Sequence, residues 1–157
     1  YGGFNTSLSW KGFDLSAIFA YSIGGYIYNR DITMILHNGS LEGRAWSTEI
    51  LRRWTPDNRY TDVPALSTTS NNWNSASTRF LQNNSYMRLK NLTLSYNLPK
   101  PWISKLALSS VQVYVQGDNL FTIHKNQGLD PEQGITGITY YRYPAMRTIS
   151  GGINIAF

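Results

Sequence analysis

Apolar and polar residues alternate strictly along several stretches of this chain. Phe13, Leu15, Ala17, Phe19, Tyr21, Ile23 and Ile27 fall on one side, and Asp14, Ser16, Ala20, Ser22 and Gly24 on the other, with Ile18 as the exception. Just before them, Phe4, Leu8 and Trp10 alternate with Asn5, Ser7 and Ser9. Leu92, Leu94, Tyr96 and Leu98 alternate with Asn91, Thr93, Ser95 and Asn97, and Val111, Val113 and Val115 with Gln112, Tyr114 and Gln116. The last run sets Ile149, Ile153, Ile155 and Phe157 against Thr148, Ser150, Gly152 and Asn154. A period of two is the signature of strands with one apolar face. The pattern predicts strands over 2–11, 13–28, 80–98, 109–123 and 146–157.

Three details refine this. Most of these strands reach or pass the roughly 9–11 residues that a tilted strand needs to cross a bilayer. The links alternate in length: Lys11-Gly12 is a tight turn and 99–108 is fairly short, whereas 29–79 and 124–145 are long. Short links on one side and long ones on the other are the habit of outer-membrane barrels. Finally, Met87 and Leu89 sit at odd positions and Leu92, Leu94 and Tyr96 at even ones. The facing therefore flips between Lys90 and Leu92, which a β-bulge would do; the alternative is that the upper part of the strand stands above the membrane, where the two sides lose their meaning.

Composition narrows the class. Of 157 residues, only 15% are charged and 14% are aromatic, against roughly 25% charged in ordinary soluble domains. There is no Cys, which excludes disulfides, thiolate metal sites and a Cys nucleophile. His37 and His124 are the only imidazoles, too few for a His-rich metal site. No apolar run is long enough for a transmembrane helix. The charged residues avoid the apolar face in the middle of each strand, where an Arg or Lys facing lipid costs about 2–4 kcal/mol. The net charge of +5 is spread over loops and turns, with no stripe suited to nucleic acid; at most, Arg59, Arg79 and Arg142 would meet lipopolysaccharide phosphates. The fold expected is all-β: an antiparallel transmembrane β-barrel with long extracellular loops. Its rival is a soluble, aromatic-rich carbohydrate-binding β-module. Five strands cannot close, and an open sheet in lipid leaves edge N–H and C=O groups unsatisfied, so the chain, which starts at Tyr1, is expected to be one end of a larger barrel.

Four stretches carry a more specific signal: RRWTPDNRYTDVPAL (52–66), STRFLQNNSYMRLKNLTLSYNLPK (77–100), VQVYVQGDNLFTIHKNQGLDPE (111–132) and YPAMRTISGGINIAF (143–157). Together they resemble the C-terminal part of the SusC/RagA family of TonB-dependent outer-membrane transporters. The resemblance implies that these are the last five or so strands of a 22-stranded plugged barrel, with 1–157 as its C-terminal segment and the plug domain elsewhere in the polypeptide. It also implies import of glycan oligosaccharides or peptides, energised through TonB, in the outer membrane of a Bacteroidetes-type Gram-negative bacterium. A SusD-like surface lipoprotein would form the lid, and outer-membrane lipid would surround the barrel. Ile153, Ile155 and the terminal Phe157 resemble the sorting signal read by the barrel-assembly machinery.

Individual residues add candidate contacts. AWSTEILRRWTP (45–56) predicts a short helix stopped by Pro56, with Trp46, Ile50 and Trp54 on one face. Trp46 and Trp54 either pack against neighbouring loops or touch the lid or substrate. Trp73 and Asn74, in a loop rich in amides, either form a loop tip with one packed Trp or offer a ring to stack on a sugar and a group to hydrogen-bond its hydroxyls. Tyr140, Tyr141 and Tyr143 belong either to an aromatic girdle or to loop packing. Asp130 and Glu132 read as solvated turn residues, with a Ca²⁺ site as a lesser reading. Nothing supports catalysis, and no cofactor or resident metal is expected.

Overall fold

The Lys11-Gly12 pair has positive φ at both residues, 47° and 88°, as a two-residue type I′ hairpin turn requires. It joins β1 (Gly2–Trp10) to β2 (Phe13–Ser22), with Trp10 paired to Phe13. The remaining strands, in chain order, are β3 (Tyr26–Asn29), β4 (Leu81–Asn83), β5 (Tyr86–Asn97), β6 (Ser110–His124), β7 (Ile138–Thr139) and β8 (Thr148–Ala156). Two short helices accompany them, α1 (Arg30–Ile35) and α2 (Lys100–Ile103). The computed structural model describes residues 1–37, 41–67, 69, 75–106, 108–126, 130–132 and 136–157. The chain divides into two compact units.

The first unit comprises Tyr1–Gly25, Asn84–Pro131 and Pro144–Phe157. It is a five-stranded antiparallel sheet in the order β1-β2-β5-β6-β8. Among the described residues β1 pairs only with β2, and β8 only with β6. Both outer edges therefore carry main-chain groups with no neighbouring strand. The links from β1 to β2 and from β5 to β6 lie at one end of the sheet. At the other end, where Ser22, Tyr86 and His124 share a register row, the chain departs into its two long insertions.

The expected bulge is present. Ile18 pairs with Asn91 and Phe19 with Leu89, so Lys90 is the extra residue. Across β6, Leu89 pairs with Phe121 and Asn91 with Asp118, so Asn119 and Leu120 together oppose Lys90 there. Asn119 takes the left-handed conformation, φ 52°, which Asn tolerates better than other residues with a Cβ. One inserted residue in β5 swaps its facing. Met87 and Leu89 thereby stay on the same side as Leu92 and Leu94.

The second unit comprises Tyr26–Asn83 and Glu132–Tyr143. β3 pairs antiparallel with β4 and parallel with β7. Its interior holds Ile27 and Phe80, with the Tyr28 ring edge-on to Phe80 at 6.1 Å. Asn29 caps α1, its side chain accepting from the Ile32 N–H at 3.1 Å.

Two strand expectations need correction. The strand predicted over 13–28 ends at Ser22, because Gly24 and Gly25 turn the chain with φ of 84° and 74°. Tyr26–Asn29 then joins the other unit. The strand predicted over 80–98 is divided likewise at Asn84 and Ser85: the Asn84 N–H bonds Gly25 O at 3.2 Å, and Ser85 Oγ accepts from the Gly24 N–H at 3.0 Å. The helix predicted over 45–56 shrinks to a single 3-10 segment, Thr48–Arg52, capped by Ser47.

Candidate functional site: a two-faced sheet and its loop unit

Register converts alternation into two continuous faces. On one, Trp10, Phe13, Tyr96, Val113 and Ile153 form a row, and Leu8, Leu15, Leu94, Val115 and Gly151 the next. Phe4 stacks on Phe19 at 4.7 Å, and Phe13 lies 4.5 Å from Tyr96. These side chains are largely open: Leu8 is 67% exposed, Val115 48% and Ile153 61%. An ordinary soluble monomer rarely leaves an apolar patch running across a whole sheet uncovered.

The opposite face is hydroxyls and amides. Asn97, Gln112 and Asn154 make one row; Thr93, Gln116 and Ser150 another; Asn91, Asp118 and Thr148 a third. They bond one another laterally. Asn91 donates to Asp118 Oδ1 at 2.8 Å, Gln116 to the same carboxylate at 3.3 Å, and Thr93 to Asn91 at 2.9 Å. Asn154 donates to Gln112 at 3.2 Å, and Gln112 to Ser95 at 3.3 Å. Asp14 accepts from Ser9 and, at 2.7 Å, from Asn97. A wall of this kind suits water and polar solutes.

Arg88 lies on the polar face of β5 and is 3% exposed. Its guanidinium pairs with Asp130 at 2.5 Å and donates to Thr122 Oγ1 at 2.9 Å. The other Asp130 oxygen accepts the Ala145 N–H at 2.6 Å. One carboxylate thus ties both limbs of the β6–β8 connection to the sheet. Asp130 is not the solvated turn residue its setting in GLDPEQG suggested. No spacing pattern links positions 42 residues apart; the only hint was Arg88's place in phase with the polar face below the bulge.

No family model matches the chain. Individual proteins do. It is 37% identical to TonB-dependent receptor P3 of Formosa agariphila over 99% of this chain and 16% of that protein. It is 27% identical to TonB-dependent receptor SusC of Bacteroides thetaiotaomicron over 99% of this chain and 15% of that protein. The solved structure of the RagAB peptide transporter superposes with a TM-score of 0.87 at 35% identity, over 99% of this chain and 17% of that one. The chain fits the C-terminal part of a SusC/RagA-type TonB-dependent receptor. It spans about a sixth of the length of the curated relatives it matches. Its five-stranded sheet matches the barrel region of RagA-like transporters, and the named relatives are receptors and transporters rather than enzymes.

The loop unit of this SusC/RagA-type segment holds two of the sequence candidates. Trp46 is 41% exposed and donates from Nε1 to His37 Nδ1 at 3.1 Å, with the rings edge-on at 5.4 Å. Trp54 is 43% exposed, with its backbone N–H on Val63 O at 2.8 Å. They do not share a helical face with Ile50, which packs separately on Val63. Trp73 and Asn74 lie outside the described residues. Tyr140 and Tyr141 follow the loop-packing alternative. Arg30 stacks on Tyr140 at 4.6 Å, the Tyr141 N–H bonds Asp31 at 2.9 Å, and Arg44 donates to the Tyr141 hydroxyl at 3.2 Å. Tyr143 is 96% exposed. Ile153 and Ile155 project from the apolar face of the edge strand β8, and Phe157, 92% exposed, follows it. Arg52 pairs with Asp62 at 2.7 Å in the open, as an exposed loop charge does.

Proposed function

We propose that this chain is a section of wall, with two outer loops, of an outer-membrane importer energised through TonB. The observation that carries the reading is the continuous division of one antiparallel sheet into an open apolar face and a hydrogen-bonded polar face. In this reading the apolar face meets lipid and the polar face lines the lumen. The long insertions point outward, and the links at Lys11-Gly12 and 99–108 point to the periplasm. Residues 1–157 are the C-terminal segment of a 22-stranded barrel whose plug and TonB-contacting parts belong to the rest of the polypeptide.

The cargo class is a peptide or a glycan oligosaccharide. The likeness to RagAB, a peptide transporter, supports the first, and the family resemblance of the sequence motifs keeps the second. A SusD-like lipoprotein covers the outer face. Trp46, Trp54, Trp73 and Asn74 are proposed to touch that lid or the cargo. Ile153, Ile155 and Phe157 are proposed as the signal read by the assembly machinery in a Bacteroidetes-type outer membrane. The test is uptake of labelled peptides and oligosaccharides by cells carrying or lacking the full-length gene, with and without TonB. TonB-dependent uptake of one class is expected. Uptake that ignores both gene and TonB would overturn the reading.

A further inference from the structure

We infer that the short-turn end of the sheet holds one anionic membrane phospholipid, with its phosphate among Lys11, Lys100 and Lys105 and an acyl chain in a furrow along β5 and β6. The inference rests on the outer-membrane reading above.

The headgroup end is argued from charge and facing. The two short links, 11–12 and 98–109, contain three Lys and no Asp or Glu. Register makes them neighbours: Gly12 O accepts the Asn97 N–H at 2.8 Å, directly before the second link. The Lys11 ammonium lies 5.0 Å from the centre of the Trp10 ring. Trp10 belongs to the apolar face, so this charge leans to the lipid side. The acid of this end, Asp14, faces the other way and is engaged by Ser9 and Asn97. Trp102, 66% exposed, adds a second indole in the neighbouring link. Amphipathic rings and snorkelling lysines are what a membrane interface selects.

The acyl end is argued from shape. A hollow of about 200 Å³ lies among Phe13, Tyr96 and Val113. A second of about 300 Å³ continues among Leu92, Leu94, Val115, Gly117, Leu120 and Ile149. Both are walled by Leu94 and Val115, so they form one furrow. Gly151, paired with Val115, leaves the wall low between Ile149 and Ile153. From Tyr96 to Leu92 the furrow runs about 13 Å, at about 3.3 Å per residue. No charged side chain lines it. A single ligand that is anionic at one end and aliphatic along the rest matches both halves. A net-negative headgroup satisfies three ammonium groups better than a zwitterionic one.

The test uses the full-length receptor, purified in mild detergent and exchanged into nanodiscs of phosphatidylglycerol and phosphatidylethanolamine, with native mass spectrometry reading retained lipid. Wild type is expected to retain phosphatidylglycerol over phosphatidylethanolamine by about tenfold, given the attraction of basic side chains to anionic surfaces. The Lys11→Gln/Lys100→Gln/Lys105→Gln variant should lose that preference, and Lys125→Gln, near the opposite end, should keep it. Leu94→Trp, which fills the furrow, should lower retention of both lipids. Equal retention in wild type, an unchanged triple variant, or displacement of the lipid by excess inorganic phosphate would each overturn the inference. Heat-modifiability on a gel, run on every variant, separates the failures. A protein that never forms a barrel in the outer membrane overturns the proposed function, whereas an assembled barrel without lipid preference overturns only this site.

Discussion

Arg88 and Asp130 form an ion pair in which the two side chains are only 4% and 8% exposed. Removing one member of such a pair leaves a buried charge uncompensated, at a cost of about 3–5 kcal/mol. Asp130→Ala should lower the heat-modifiability midpoint of the full-length barrel and expose the β6–β8 connection to protease. Arg88→Met/Asp130→Leu should recover most of the loss. The open pair Arg52–Asp62, at 61% and 76% exposure, is worth about 0–1 kcal/mol, so Asp62→Ala should leave the midpoint nearly unmoved.

The bulge gives a second prediction. Asn119 holds φ 52° and donates to Met146 O at 3.2 Å. Asn119→Val should cost at least about 1–2 kcal/mol, because a β-branched residue resists the left-handed conformation. Asn119→Gly should lose only the side-chain bond. If Val and Gly proved equal in thermal midpoint, backbone conformation would not be what Asn supplies there.

Phe157 is 92% exposed and in phase with Ile153 and Ile155 on the apolar face, away from the polar face, so its substitution separates assembly from transport. Phe157→Ala should reduce the fraction of heat-modifiable barrel in outer-membrane fractions. Uptake per assembled barrel should stay unchanged. Full assembly with lost uptake would assign this residue to transport instead.

Much of the sheet was legible in the sequence because a strand's facing period of two needs no partner to be seen. Even the bulge showed, as the parity change between Leu89 and Leu92. The ends of strands were less legible. Ile27 continues the apolar pattern of β2, but the positive φ of Gly24 and Gly25 hands Tyr26–Asn29 to another sheet. Trp46, Ile50 and Trp54 have helical spacing, yet only Thr48–Arg52 winds, and as a 3-10 segment. Spacing is a necessary feature of a helix, not a sufficient one. The Arg88–Asp130 pair was not legible as a pair, because burial of a turn acid depends on a residue 42 positions earlier, on the neighbouring strand β5.

Charge insertion tests facing one position at a time. Val113→Arg places a cation on the apolar face and should cost about 2–4 kcal/mol near mid-membrane, seen as a loss of assembled barrel. Gln112→Arg, its neighbour on the polar face, should assemble normally.

The most direct measurement is a spin-label scan across β6. The chain contains no Cys, so single cysteines at positions 111 to 116 can be introduced into a full-length receptor otherwise free of cysteine, labelled and reconstituted in lipid. Collision with molecular oxygen, which concentrates in the hydrocarbon, should be high at Val111, Val113 and Val115 and low at Gln112, Tyr114 and Gln116. Collision with a water-soluble nickel chelate should show the opposite alternation. Uniform exposure to the chelate, or alternation in the reverse phase, would contradict a wall with its apolar face in lipid and its polar face on the lumen.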